Sequence, residues 1–168
     1  MNFNDIFDEF IAHSKDLKVI HVASCDQNGR PNSAPKMLVD IVRPNKVLYL
    51  DYKFTHTYAN VVKNHVISIS IMDDRAFKGF RLTGPCDIIE SGEEYENARH
   101  CWEKRLTSYD AERLIERSKG FFSERHAEST LPKDFVIIKL IADEAAVVRP
   151  DRVLRALQKN NSKKNPPE

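Results

Sequence analysis

The sequence predicts a mainly β protein, a small closed β-barrel with peripheral helices. Three observations indicate this fold class. Strand-type alternation recurs along the chain, most clearly in residues 66–73, VISISIMD, where isoleucine takes every second position. Short turns rich in Asn, Gly and Pro separate the first strand patterns, as expected for antiparallel neighbours. Few segments have helical periodicity, so we expect the helices to lie around the sheet.

The composition is that of one globular domain. The chain has 168 residues, of which 41% are hydrophobic and 30% charged, and its net charge is +1. We predict a single domain over residues 1–158 and a disordered polar tail over 159–168. The near-neutral charge argues against a nucleic-acid partner, and no apolar run is long enough for a membrane span. The three cysteines have neither metal-site nor disulfide spacing, so we expect a cytoplasmic protein.

The first half of the chain is predicted as a helix followed by a hairpin. Residues 4–15 have helical periodicity, with Asn4 as the expected N-cap. Residues 18–24 and 32–42 are predicted strands, and Asn28-Gly29 between them supplies the positive φ of a tight turn. Pro35 indicates a strand end, an edge or a bulge at that point.

The second half is predicted as strands interrupted by a helical insertion. Residues 66–73 and 79–90 are strands, and Gly84-Pro85 in the second indicates a bulge or a sharp bend. Two helices are expected over 91–106, with Ser91 as cap, and over 108–122. Residues 135–142 form a last strong strand that 144–149 extend after a kink, and 151–158 are predicted to be a short helix.

Residues 47–64, VLYLDYKFTHTYANVVKN, carry the strongest functional signal. A strand leads through Thr55-His56-Thr57 into a short helix. Two hydroxyls, an imidazole and the unpaired N–H groups of a helix N-terminus can together bind a phosphate. The alternative is that Thr55 or Thr57 only caps the helix. Lys36 could complete an anion site here, and its alternative is an ordinary exposed lysine.

The remaining motifs indicate no specific chemistry. The chain has no glycine-rich nucleotide loop, and its histidines lack metal-ligand spacing. We expect Trp102 in the core and His21 to pack or bond locally. Basic residues within 113–125 alternate with glutamates, which predicts a solvated helix rather than a nucleic-acid surface.

Three segments taken in order resemble the pyridoxamine 5′-phosphate oxidase-like family of FMN-binding split β-barrels. They are GRPNSAPKMLV, VLYLDYKFTHTYANVVKNHVISISI and KGFRLTG. The resemblance covers about residues 19 to 90, with a weaker similarity at 132–148. It implies a six-stranded antiparallel split barrel that forms a homodimer, with FMN at the subunit interface.

The resemblance also implies which residues bind the cofactor. They are Pro35, Lys36, Met37 and Leu38 along the isoalloxazine, largely through backbone groups, Asp51 and Tyr52 near the ribityl chain, Thr55, His56, Thr57 and Asn60 around the phosphate, and Lys78 and Gly79 at a further flavin contact. His56 and Thr57 stand where the oxidases have two cationic phosphate ligands. Lys36 or Lys53 would therefore have to supply the missing charge.

The resemblance implies an FMN-dependent oxidoreductase that moves hydride or electrons between a donor, such as a reduced nicotinamide, and a small molecule. The C-terminal Arg-and-His segment with which the oxidases bind their substrate phosphate has no counterpart here, so we do not expect oxidation of pyridoxamine phosphate. No catalytic residue is identified. The alternative hypothesis is a non-catalytic split barrel that binds flavin or haem.

Overall fold

The structure is a computed structural model that describes residues 1–118 and 134–158. Within those ranges the elements are α1 (Phe3–Ser14), β1 (Val19–Cys25), β2 (Pro31–Val42), β3 (Lys46–Asp51), α2 (His56–Lys63), β4 (Val66–Asp73), β5 (Lys78–Ile89), α3 (Glu93–Ser118), β6 (Val136–Ile141), β7 (Glu144–Val148) and β8 (Val153–Leu157). The predicted tail, the end of the predicted second insertion helix and the charged side chains of 113–125 lie outside the described residues.

Six antiparallel strands close into a barrel. Their order is β4-β1-β2-β3-β6-β5, and pairing between β4 and β5 closes the ring. The mainly β prediction and the six-stranded split barrel are confirmed. β7 and β8 extend the sheet beyond the barrel, because β7 pairs with the first half of β5 and β8 pairs with β7.

Alternation along the strands sorts side chains into a barrel interior and an outer surface. Ile67, Ile69 and Ile71 of β4 are buried inside, as the sequence pattern predicts. α1 adds four apolar side chains to that core, including Phe7 and Phe10. The capping box of α1 uses Asn2 and Asp5, so the prediction of Asn4 as its N-cap is wrong.

The outer surface is only partly covered by helices. α3 packs on β2 and on a second apolar cluster that contains Leu48, Leu50 and Ile137, and Trp102 is 3% exposed there, which confirms its core position. Many side chains remain exposed on one part of the outer surface, which we call the open face. It is formed by the outer side of β1, β4, the first half of β2 and the first half of β5. Examples are His21 and Met72.

β5 exchanges one neighbouring strand for another at Gly84. Residues 79–83 pair with β7, residues 86–89 pair with β6, and the pairing with β4 runs through Gly84 without a register shift. The predicted bulge at this position is therefore wrong. The glycine is needed for another reason: a Cβ there would collide with the Ile141 carbonyl oxygen. The recorded register shift lies instead between Leu38 and Asp40 of β2.

Two predicted elements in the second half of the chain differ from the structure. The insertion forms one helix, α3, that continues through residues 106–108 and begins at Glu93, so Ser91 is not its cap. The segment predicted as a helix at 151–158 is the strand β8, because its backbone finds partners along β7, for example Ala156 opposite Ala145. Tertiary pairing outweighs the weak local helical preference of VLRAL.

Candidate functional site

β2 has a free edge where the resemblance puts the flavin ring. It pairs with β1 over residues 31–37 but with β3 only from Met37 onward. Along this edge Pro35 is exposed and Met37 is half-buried, whereas the Leu38 side chain points into the core. The side of residues 32–36 that faces away from β1 therefore has no partner strand.

The N-terminus of α2 lies next to this edge. Thr55 is the N-cap, and its hydroxyl accepts from the Tyr58 N–H at 3.0 Å. The Lys36 Nζ is 3.4 Å from the Thr55 Oγ1, so the predicted ring position and the predicted anion site adjoin. The capping alternative is thus correct for Thr55, and it does not exclude an anion at the remaining N–H groups.

The Asp51 carboxylate, which is fully buried, binds the donors that were expected to bind a phosphate. Its Oδ1 accepts from Lys36 Nζ at 2.5 Å, from Thr55 Oγ1 at 2.8 Å and from the Tyr52 N–H at 2.8 Å. Its Oδ2 is buried without a hydrogen-bond partner among the described residues. Lys36 is 9% exposed, so the alternative of an ordinary surface lysine is wrong, but its charge is balanced by Asp51.

Thr57 and Asn60 attach α2 to the β1–β2 hairpin. The Thr57 hydroxyl accepts from Asn32 Nδ2 at 3.2 Å, and Asn60 Nδ2 donates to Ser24 Oγ at 3.0 Å. Both side chains are buried, Thr57 to 1% exposure. In this structure the two side chains position the helix and are not free to bind a ligand.

His56 and two backbone groups remain for an anion. The His56 side chain is exposed, and the N–H groups of His56 and Thr57 have no recorded acceptor in the described ranges. Lys53 is bound to Glu90 at 3.1 Å, and this hydrogen bond is the main reason that the pKa of Glu90 lies below its usual value. Lys53 was expected to supply positive charge to the phosphate site. That charge is neutralised by a carboxylate, as the charge of Lys36 is.

The Asp51 charge also acts on two tyrosines of β3 and the turn after it. Burial, followed by the Asp51 carboxylate, raises the pKa of Tyr49 and of Tyr52. The Tyr52 ring stacks on the exposed ring of Phe54, with centroids 5.4 Å apart. The end of β3, beside α2, therefore carries a buried carboxylate, Asp51, followed by two aromatic side chains, Tyr52 and Phe54.

Lys78 and Gly79 lie on different sides of β5. The Lys78 ammonium pairs with Glu9 of α1 and lies 4.8 Å above the Phe80 ring. It holds α1 on the barrel and is not directed toward the open face. Gly79 is opposite Met72 and Val148 and lines a groove on that face.

Sequence reasoning missed a row of side chains on the open face. Strand register aligns Pro35, His21, Ser70 and Arg81 across β2, β1, β4 and β5. His21 is exposed on this surface rather than packed as expected, and the Arg81 Nε is buried without a partner in the described ranges. Each residue is unremarkable in its own strand, so the row could be found only from the register.

A groove of about 420 Å³ opens beside this row. Apolar atoms form most of its lining, contributed by residues such as Met72, Phe77 and Val148, and His21, Arg81 and Arg149 lie around it. Among the described residues no three metal-ligating side chains converge on one point, and no helix there is long and apolar enough to cross a membrane. The groove reaches the strand next to the free edge of β2, because His21, one of its lining residues, pairs with Pro35.

Comparison with known proteins identifies the family. The family model described as pyridoxamine 5′-phosphate oxidase matches residues 6–149, most of the chain. No match is found among curated proteins.

Solved structures share the fold at low sequence identity. A Clostridium acetobutylicum protein related to general stress protein 26 of Bacillus subtilis, of the pyridoxinephosphate oxidase family, has a TM-score of 0.66 and 16% identity, covering 92% of this chain and 95% of its own. A pyridoxamine 5′-phosphate oxidase-related, FMN-binding protein from Nostoc punctiforme has a TM-score of 0.57 and 12% identity, with 92% and 89% covered.

A haem-binding protein from Mycobacterium smegmatis has a TM-score of 0.59 and 16% identity. The alignment covers 88% of this chain and 55% of that one. At such identities the neighbours establish the fold alone. Because the family model spans most of the residues and the barrel has the fold of these neighbours, the chain belongs to the pyridoxamine 5′-phosphate oxidase family.

Proposed function

We propose that this protein binds FMN and acts as a flavin-dependent oxidoreductase on a small molecule. The observation that carries the proposal is the contact between the free edge of β2 and the N-terminus of α2, with Lys36 Nζ 3.4 Å from Thr55 Oγ1. A flat ring on the edge and its anionic tail at the helix would then be close enough to belong to one ligand. The FMN-binding neighbour from Nostoc punctiforme supports this choice of cofactor.

The residues fit such a ligand in two parts. Backbone groups of residues 32–36 and the exposed Pro35 would hold the ring, and the N–H groups of His56 and Thr57 with the His56 imidazole would hold the phosphate. The flavin would supply the hydride or electron transfer. The chain's own part is to bind and orient the ring, and we assign no acid or base to it.

A homodimer would complete the site. The open face exposes apolar side chains, among them Val19 at 39% and Met72 at 70%, beside the groove that Phe77 lines. A contiguous apolar surface of this kind is typical of a protein interface. A second copy on this face would cover a ring that one barrel leaves exposed to solvent, and a monomer with a full complement of cofactor would contradict it.

An absorbance spectrum of the purified protein tests the proposal. Flavin bands, followed by release of the chromophore and its identification as FMN, are the expected result. Oxidation of a reduced nicotinamide in the presence of an electron acceptor would establish the oxidoreductase activity. Yellow protein that oxidises no donor would indicate a flavin carrier rather than an enzyme. Colourless protein that takes up no added flavin would refute the proposal that FMN is the cofactor.

Haem is the second candidate, and His21 favours it. Its imidazole is exposed on the open face beside the apolar groove, where Arg149 would pair with one carboxylate and Arg81, which binds Glu144 at 3.2 Å, would have to exchange that partner for the other. A neutral imidazole is a common axial ligand of iron. Added haemin should then give a Soret band that His21→Ala shifts or removes. An unchanged band in that variant would exclude His21 as the ligand.

A further inference from the structure

Asp51 binds the N-cap side chain of α2 and the lysine beside it. Its Oδ1 accepts from an ammonium, a hydroxyl and a backbone N–H, from Lys36, Thr55 and Tyr52. A negative group is favoured there by the dipole of the helix. Because the carboxylate is fully buried, it cannot leave this position without unpairing the buried Lys36.

The second lysine near this helix is balanced in the same way. Lys53 Nζ lies 3.1 Å from Glu90 Oε1, and Glu90 also accepts from the Tyr58 hydroxyl at 3.0 Å. The two lysines nearest the Thr55-His56-Thr57 turn are therefore both paired with a carboxylate. A ligand phosphate would therefore meet two backbone N–H groups and the His56 imidazole, while the charges of Lys36 and Lys53 are already neutralised.

We propose that Asp51 is a specificity-determining residue that makes flavin binding nearly independent of the terminal phosphate. The inference rests on the proposed flavin function. FMN and riboflavin should bind with dissociation constants within about threefold of each other. Lysine charges that are already paired with carboxylates of the protein add little attraction for the phosphate of FMN. The class of ligand is thus the flavin ring with its ribityl chain, whether phosphorylated or not.

The test compares the two flavins on the wild-type protein and on Asp51→Asn. Dissociation constants are measured by quenching of flavin fluorescence at constant ionic strength. The amide keeps the shape of the side chain and frees the charge of Lys36 for a phosphate. The preference for FMN over riboflavin should rise by about tenfold, the effect of ~1.4 kcal/mol.

A matched control removes both charges. Lys36→Met combined with Asp51→Leu leaves the net charge unchanged, so the preference should stay within about threefold of one. If Asp51→Asn does not fold, the double variant and the ratio of the two dissociation constants in the wild-type protein still test the inference. A wild-type preference for FMN above about threefold, or an unchanged preference in folded Asp51→Asn, would overturn it.

The outcome separates this inference from the function on which it rests. Flavin binding with a strong requirement for the phosphate overturns the role of Asp51 and leaves the flavoprotein proposal intact. Failure to bind either flavin contradicts the proposed function itself, and the inference falls with it.

Discussion

Replacing Gly84 by alanine tests the way in which the barrel closes. Gly84 is buried in the middle of β5, where the strand leaves β7 and begins to pair with β6. A Cβ at this position would lie far inside the van der Waals distance of the Ile141 carbonyl oxygen, and 3.0 Å from the Asp143 nitrogen. All of these neighbours are backbone atoms, so no side chain can rotate away to relieve the contact.

The magnitude follows from the displacement that the new methyl group requires. Restoring an ordinary contact moves the end of β6 away from β5 by about 1 Å, and overpacking of this kind costs about 1–3 kcal/mol. The displacement also strains the bond from Asp143 N to Thr83 O, 3.0 Å long, and a lost hydrogen bond costs about 1 kcal/mol more. We expect a loss of roughly 3 kcal/mol in the free energy of unfolding, or roughly 10 °C in Tm.

Gly79→Ala is the control in the same strand. Gly79 is also buried, but its nearest neighbour would be the Ile71 carbonyl oxygen at 3.5 Å, an ordinary contact. Its stability should change by no more than about 1 kcal/mol. Urea titration of both variants provides the measurement. A loss below ~1 kcal/mol for Gly84→Ala, or equal losses for the two variants, would refute the close approach of β6 as the reason for this glycine.

Further predictions concern buried groups and the anion site. Tyr49→Phe removes a buried hydroxyl without a partner in the described ranges, so urea titration should show an unchanged or higher stability, by up to about 2 kcal/mol; a clear loss would mean that the hydroxyl is bonded. Burial raises the pKa of Cys86 from 9.0 to about 12. Between these pH values the unfolded chain releases the thiol proton and the folded chain keeps it. The contribution of Cys86 to the free energy of unfolding is therefore complete below pH 9 and declines as the pH rises toward 12. Cys86→Val should reduce the decline of the free energy of unfolding between pH 9 and 12, measured by urea titration at several pH values. The same decline in the variant and the wild type would contradict the raised pKa of Cys86. His56→Glu should weaken FMN binding by about tenfold at unchanged Tm, because the side chain is exposed. Thr57→Glu should also eject the flavin, but with a fall in Tm, since Thr57 is buried, and unchanged flavin stoichiometry would remove this residue from the site.

The elements with strong local patterns could be predicted from the sequence. β4 has the predicted bounds of 66–73, because its isoleucines alternate without interruption. The hairpin turn follows from Asn28-Gly29, and of these two residues Gly29 is the one with a positive φ, at 76°. The resemblance likewise identified the family and brought Lys36 and Thr55 to adjoining positions. These features depend on residues close together in the sequence or on motifs in a fixed order.

Other features depended on partners that the sequence does not specify. The segment VLRAL has no clear period, and it became β8 because β7 offered an edge to pair with. The continuous α3 and the partner exchange at Gly84 also follow from how distant segments pack. Local preferences differ by less than about 1 kcal/mol per residue, so tertiary contacts decide such cases.

The sequence by itself determined the fold class, the family and the donors near α2, since alternation, turn residues and motif order are local properties. Only the tertiary structure decided what those donors bind. Asp51 of β3 reaches Lys36 of the neighbouring strand β2, although 15 positions separate them in the chain. A charge acts through distance in space, and the folded barrel alone sets whether a lysine faces a ligand or a carboxylate of its own protein.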